Sequence, residues 1–178
     1  MKLLKQIMMF LFLLSISGCA FPPALNWNNP QEIASKISVE KDDFRKVITY
    51  QGPEYGEYYD IILIRAWKDL ETMLVKYQIY VRATTFDDWM NFNSCYASDG
   101  QKLDMKNISS NVTYCTQNGC WCAEDMGLDV DKSYLEKHIN NGLKIKIYGQ
   151  KGQREFYLPG IYISAFLNHI EKNSASSN

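Results

Sequence analysis

Apolar residues recur along this chain with two periods. Val75, Tyr77, Ile79, Val81 and Ala83 alternate with Lys76, Gln78, Tyr80 and Arg82. Successive side chains of a strand point to opposite faces, so this segment predicts a strand with one buried face. Leu143, Ile145 and Ile147 alternate in the same way with Lys144, Lys146 and Tyr148. A loop over 149–152 and a partner strand from Arg154 to Leu158 complete a predicted hairpin. Ile163, Phe166, Leu167 and Ile170 instead follow i, i+3, i+4, i+7 spacing, which predicts a closing helix opened by Pro159.

The rest of the pattern fills in between these anchors. Asn29-Pro30-Gln31-Glu32 carries a cap, a first-position proline and an acid in the first turn, predicting a short helix ending near Lys36. Phe44 to Gln51 and Ile61 to Trp67 are predicted strands, separated by the turn-rich Gly52-Pro53-Glu54-Tyr55-Gly56. Lys68 to Glu71 reads as a turn. Further strands are expected from Met90 to Ala97, Lys102 to Met105, Val112 to Thr116 and Cys120 to Glu124. A helix starts at Asp131-Lys132-Ser133, with Ser133 and Glu136 at capping-box spacing and Gly142 placed to end it. The tail from Asn173 is polar. The sum is about eight hairpin-linked strands and two or three short helices. It predicts one α+β domain, mostly antiparallel and β-sandwich-like, with a C-terminal helix.

The start of the chain does not fit that domain. Met1-Lys2-Leu3-Leu4-Lys5 precedes an apolar run from Ile7 to Leu14. A basic region followed by a run of this length predicts a secretory signal, since a membrane-spanning helix needs ~20 apolar residues. The run ends in Ile16-Ser17-Gly18-Cys19. This resembles the lipobox of bacterial lipoproteins, which implies cleavage before Cys19 and acyl chains on that cysteine. Several acyl chains anchor stably where one binds only marginally. The expected organisation is a signal peptide over 1–18, a lipidated Cys19 with a tether over 19–28, one domain over 29–172, and a tail over 173–178. Asp after the cysteine resembles an inner-membrane retention signal; Ala20 stands there instead. The expected location is therefore the outer membrane, facing the periplasm or alternatively the cell surface.

Composition narrows the partners. Cleavage before Cys19 leaves 160 of 178 residues, enough for one domain with a real core. Loss of Lys2 and Lys5 takes the formal charge from −1 to −3, which offers no field for nucleic acid. The 12 Tyr, 8 Phe and 4 Trp suit a β-rich core or an aromatic binding surface.

Beyond Cys19 there are four cysteines: Cys95, Cys115, Cys120 and Cys122. An even number in an exported chain predicts disulfides of ~2–4 kcal/mol each. Asn118-Gly119 is a hairpin-turn signal, and two registers follow. A four-residue loop puts Cys115 opposite Cys120 and leaves Cys95 for Cys122. A two-residue turn puts Cys115 opposite Cys122 and leaves Cys95 for Cys120. The first is preferred. The order Cys115, Gly119-Cys120, a helix ending at Gly142, a hairpin, and Leu158-Pro159-Gly160-Ile161 through Ala165-Phe166-Leu167 resembles the invasion-associated locus B family, exported bacterial proteins with a small β-sandwich. That resemblance spans residues 112–170 and implies a Cys115–Cys120 bridge, but no catalytic residues. Cys-Trp-Cys at 120–122 raises a thiol-redox alternative, although the motif with an established physical basis is Cys-x-x-Cys at a helix start.

Other chemistry is sparse. His138 and His169 lie in helix-like segments without a nucleophile signature, and no metal site or cofactor is expected. The acids Asp42-Asp43, Asp87-Asp88, Glu124-Asp125, Asp129 and Asp131 read as solvated charges. The segment Pro53 to Asp60 carries Tyr55, Tyr58 and Tyr59 among three acids and is the candidate binding patch. The expected function is a non-enzymatic envelope lipoprotein with a structural or interaction role and a protein partner. Ligand or glycan binding at the tyrosine patch, and redox chemistry at Cys120 and Cys122, are the alternatives.

Overall fold

The computed structural model describes residues 24–57 and 59–175. Cys19 and the apolar run before it lie outside the described residues, as does Tyr58. Helix α1 (Pro30–Ser35) is followed by β1 (Ser38–Asp42), β2 (Val47–Gln51), β3 (Ile61–Asp69), β4 (Val75–Phe86) and β5 (Phe92–Ala97). Then come β6 (Lys102–Thr116), β7 (Gly119–Val130), α2 (Lys132–Lys137), β8 (Leu143–Gly149), β9 (Gln153–Leu158) and α3 (Gly160–Ala175). The strands form one antiparallel sheet in the order β1-β2-β3-β4-β7-β6-β5-β8-β9. Its bend lies in β6, where Lys102 and Leu103 pair with β5 while Asp104 onward pairs with β7. Two layers result, and β9 returns to meet β3. The fold is the expected mostly-β α+β type with a C-terminal helix.

Strand alternation builds the core. Ile62 pairs with Val81 and Ile64 with Ile79, and these continue to Met126 and Leu128, so all six share one face. Each is at most 1 % exposed, and Ile145, Ile147, Phe156 and Leu158 of the second layer join the same cluster. Tyr162, Ile163, Phe166, Leu167 and Ile170 of α3 close it. Burying a side chain of this size stabilises by about 1.5–3 kcal/mol. The Tyr162 hydroxyl donates to the Pro53 carbonyl at 2.8 Å and accepts from the Ile64 N–H at 3.4 Å. It passes so close to Gly52 that a Cβ there would meet it at 2.1 Å. The helix thereby fixes the start of the β2–β3 loop.

Several boundaries differ from expectation. β1 has no apolar alternation to announce it; Ser38 to Asp42 is held by its ladder to β2. Phe44 lies in the turn after it, fully exposed, instead of starting a strand. β6 is one strand of 15 residues, where two short segments were expected. Register shifts at Asn107/Ser109 and Val112/Tyr114 mark bulges that scramble its period. Asp131, not Ser133, caps α2. α3 continues to Ala175, past the start of the expected polar tail. Trp27, placed within the tether, packs edge-on against Tyr55 at 4.8 Å and stacks near Tyr162 at 6.1 Å.

Candidate functional site

Where β9 meets the β2–β3 loop, a cleft of about 840 Å³ opens. Trp27, Tyr55 and Tyr59 line it from the N-terminal segment and the loop, Trp121 from β7, and Phe156 and Tyr157 from β9. The rings form two groups. Trp27 and Tyr55 make one, while Tyr59 lies 5.8 Å from Trp121, which lies 5.2 Å from Phe86. Tyr59 is 64 % exposed and Tyr157 45 %, so these rings face solvent and are not core packing. Partly exposed aromatics beside a few polar groups are the usual lining of a binding site.

The loop is shaped by short-range bonds. Tyr55 and Ile62 exchange backbone hydrogen bonds of 3.0 and 2.7 Å, making an isolated bridge. Gly56 has φ +150°, and a Cβ on it would lie 2.1 Å from the Asp60 carbonyl oxygen. Only glycine fits there. Asp60 accepts from the Thr84 N–H at 2.7 Å, and the Thr84 hydroxyl donates to the Tyr59 carbonyl at 2.9 Å. These bonds tie the loop to β4. Arg154 faces Asp60 at 3.7 Å. Lys144 and Lys146 each contact Glu155 at 2.6 Å, and their hydrogen bonds hold its carboxyl down at about 2. Glu57, also on the wall, has no such partner among the described residues.

Two members of the predicted patch, Tyr55 and Tyr59, thus line the cleft; Tyr58 lies outside the described residues. Trp27, Trp121 and Tyr157 were not anticipated. A signal for the last two was present. Trp121 precedes buried Cys122, and Tyr157 sits between buried Phe156 and Leu158. Each is an aromatic on the polar phase of its strand.

The cysteines correct the expected framework. Cys115 and Cys120 are bonded across the hairpin, with Cα atoms 4.0 Å apart. Cys95 and Cys122 are free and buried, so the expected second bridge is absent. Cys95 is opposite Leu103 of β6, whereas Cys122 is opposite Val112. Nine residues of strand separate those neighbours, or about 30 Å at ~3.3 Å per residue, far beyond disulfide reach. Burial pushes the Cys95 thiol up to about 12. Burial, then Asp87, Asp88 and Glu124, also raises Cys122.

Two acids read as solvated are in fact buried: Glu124 and Asp125 are 3 % and 5 % exposed. Being adjacent on β7, they serve opposite faces. Glu124 accepts the backbone N–H groups of Met90, Asn91 and Phe92 at 2.8, 3.2 and 3.2 Å. Asp125 takes both Arg82 Nε (2.7 Å) and the Ser109 hydroxyl (2.7 Å). Burial and the Asp125 hydrogen bond push the neighbouring Tyr80 hydroxyl up to about 12, and Arg65 stacks on the Tyr80 ring at 4.3 Å. His138 Nε2 lies 3.6 Å from Asp99, beside Tyr134, while His169 packs near Tyr50. Among the described residues, no three His, Cys, Asp or Glu side chains gather as a metal-binding group. No protein-family model, curated protein or solved structure matches the chain.

Proposed function

We propose that this protein is a lipid-anchored bacterial envelope component that docks a partner through the aromatic cleft and performs no chemistry itself. The observation that carries the docking role is the cleft, with Tyr59 held at its rim by a loop bonded to β4 and Tyr157 of β9 also open to solvent. Solvent-facing aromatics in a formed concavity are the residue types that dominate binding energy. The anchor rests on Lys2, Lys5, the apolar run and the lipobox ending in Cys19. Ala20 supports the outer membrane. The tether is short, so the cleft works close to the membrane surface.

Two measurements test this. Growth with labelled palmitate should label the wild-type chain and not a Cys19→Ser form, and only the labelled form should sediment with membranes. Photo-crosslinking residues placed singly at Tyr59 and Trp121 should give envelope adducts that a residue placed at Phe44, in the turn after β1, does not. Equal adducts at all three positions, or none, would overturn the docking role.

A further inference from the structure

Among the described residues, three stretches of strand edge in this sheet have no hydrogen-bonded strand beside them. β1 is guarded by Glu40, Lys41 and Asp42, and β6 beyond Asp104 is interrupted by its two bulges. Charges and bulges of this kind block pairing with another chain. β9 has no bulge, and its two charges, Arg154 and Glu155, are already paired with Asp60 and with Lys144 and Lys146. It is an unbroken register of six pairs with β8, and its other edge opens into the cleft. Glu155, Phe156 and Tyr157 all line that cleft. Consecutive side chains alternate between faces, so a cavity lined by three in a row runs along the strand's edge.

The backbone groups on that edge can be named. The Gly149 N–H donates to the Gly152 carbonyl at 2.8 Å, making these two a hydrogen-bonded pair. Such pairs alternate along an antiparallel ladder. Gln153, Glu155 and Tyr157 therefore turn their N–H and C=O groups away from β8. A second bond agrees: the Lys144 carbonyl, opposite Tyr157, accepts from Ser98 on the other side at 2.9 Å. Among the described residues, none of the outward groups of Gln153, Glu155 or Tyr157 has a partner.

We propose that the cleft is a strand-addition site, in which an extended peptide pairs with the outer edge of β9 as a tenth strand and sets a basic side chain against Glu57. This rests on the docking role proposed above. Donors and acceptors repeating every two residues, ~6.8 Å, are the complement of another polypeptide strand and not of a sugar chain. The two aromatic groups receive alternate side chains of the peptide. The charge follows from the wall: Asp60 faces Arg154 and Glu155 is held by two lysines, which leaves Glu57 uncompensated beside the Tyr55 and Tyr59 rings. A cation over such rings gains further attraction.

A phage-displayed library of linear 12-residue peptides, selected on the purified protein, provides the probe. Enriched peptides should alternate apolar residues and carry a Lys or Arg. Tyr157→Pro is the decisive variant, because it removes an outward N–H and no bond to β8; edge strands admit proline at such positions. Its affinity for the selected peptides should fall at least tenfold, while Tyr157→Phe stays within twofold of wild type. Glu57→Gln should weaken binding severalfold. Peptide binding to the wild type should also slow hydrogen exchange of the Glu155 and Tyr157 amides at least tenfold, a readout that does not depend on the proline variant folding. Failure to enrich any peptide, unchanged affinity of folded Tyr157→Pro, or unprotected amides in the bound wild type would each overturn strand addition. If the Tyr59 and Trp121 crosslinks persist in that event, the docking role stands and only its strand-pairing mode fails.

Discussion

Glu124 shows how far a single side chain can hold a segment. The loop from Asp87 to Asn91 contains two non-glycine residues in the left-handed region, Asp87 at φ +63° and Asn91 at φ +52°. Backbone there is strained unless its surroundings fix it. The carboxylate of Glu124 does so by accepting three consecutive N–H groups. Glu124→Ala leaves the buried Phe92 N–H and the part-buried Met90 and Asn91 N–H groups without this acceptor, and a hydrogen bond to a charged group contributes roughly 1.5–3 kcal/mol. The expected loss is about 3 kcal/mol or more in chemical denaturation, with Glu124→Gln less affected because its carbonyl still accepts; a loss under about 1 kcal/mol would contradict this role. His169 supplies a pH dependence. Burial, then the nearby Lys172, holds its imidazole below the ordinary 6.5. The neutral form is favoured in the fold, so its contribution is complete above pH 6.5 and is lost as pH falls through the lower folded value. Denaturation midpoints measured from pH 7.5 to 5 should fall less steeply for His169→Gln than for wild type.

Among the elements, the far half of β6 and its turn into β7 are the least tied to the core, since the rest of β7 is buried and laddered to β4. Ile108, Val112 and Tyr114 are 46 %, 55 % and 65 % exposed, so the far half of β6 has little core to hold it. The Cys115–Cys120 bridge closes only a few residues around Asn118-Gly119, where Gly119 has φ +142°. Chain entropy for so small a ring gives about 2 kcal/mol. That stabilisation acts on an arm standing apart from the core. The double variant Cys115→Ser, Cys120→Ser should therefore lower Tm by only a few degrees, while hydrogen exchange accelerates selectively over residues 107–120. A collapse of the whole domain would show that the arm is part of the folding unit.

At the scale of the molecule, the sequence was legible where one rule governed a segment. The strand from Val75, the β8–β9 hairpin and the closing helix each repeat one period, and each was found. β1 carries no period, and the bulges of β6 break one. The cleft was legible only as Tyr55 and Tyr59, because its other walls come from Trp27, Trp121 and Tyr157, brought together by the bend of the sheet. The second disulfide failed for the same reason. Counting four cysteines treats them as free to meet, whereas β6 separates Cys95 from Cys122 along its length. Both thiols are sealed in, Cys95 at 0 % and Cys122 at 5 % exposure, and both are raised, so little thiolate is present near neutral pH. A Cys19→Ser form should expose two reactive thiols per chain in denaturant and almost none when native. The native labelling rate of Cys95, at the centre of the core, should follow global unfolding across a denaturant series. Cys122, near the end of the sheet, should label faster when the Cys115–Cys120 bridge is removed. Absence of thiols in denaturant would mean that the two pair after all, which the register of β6 forbids.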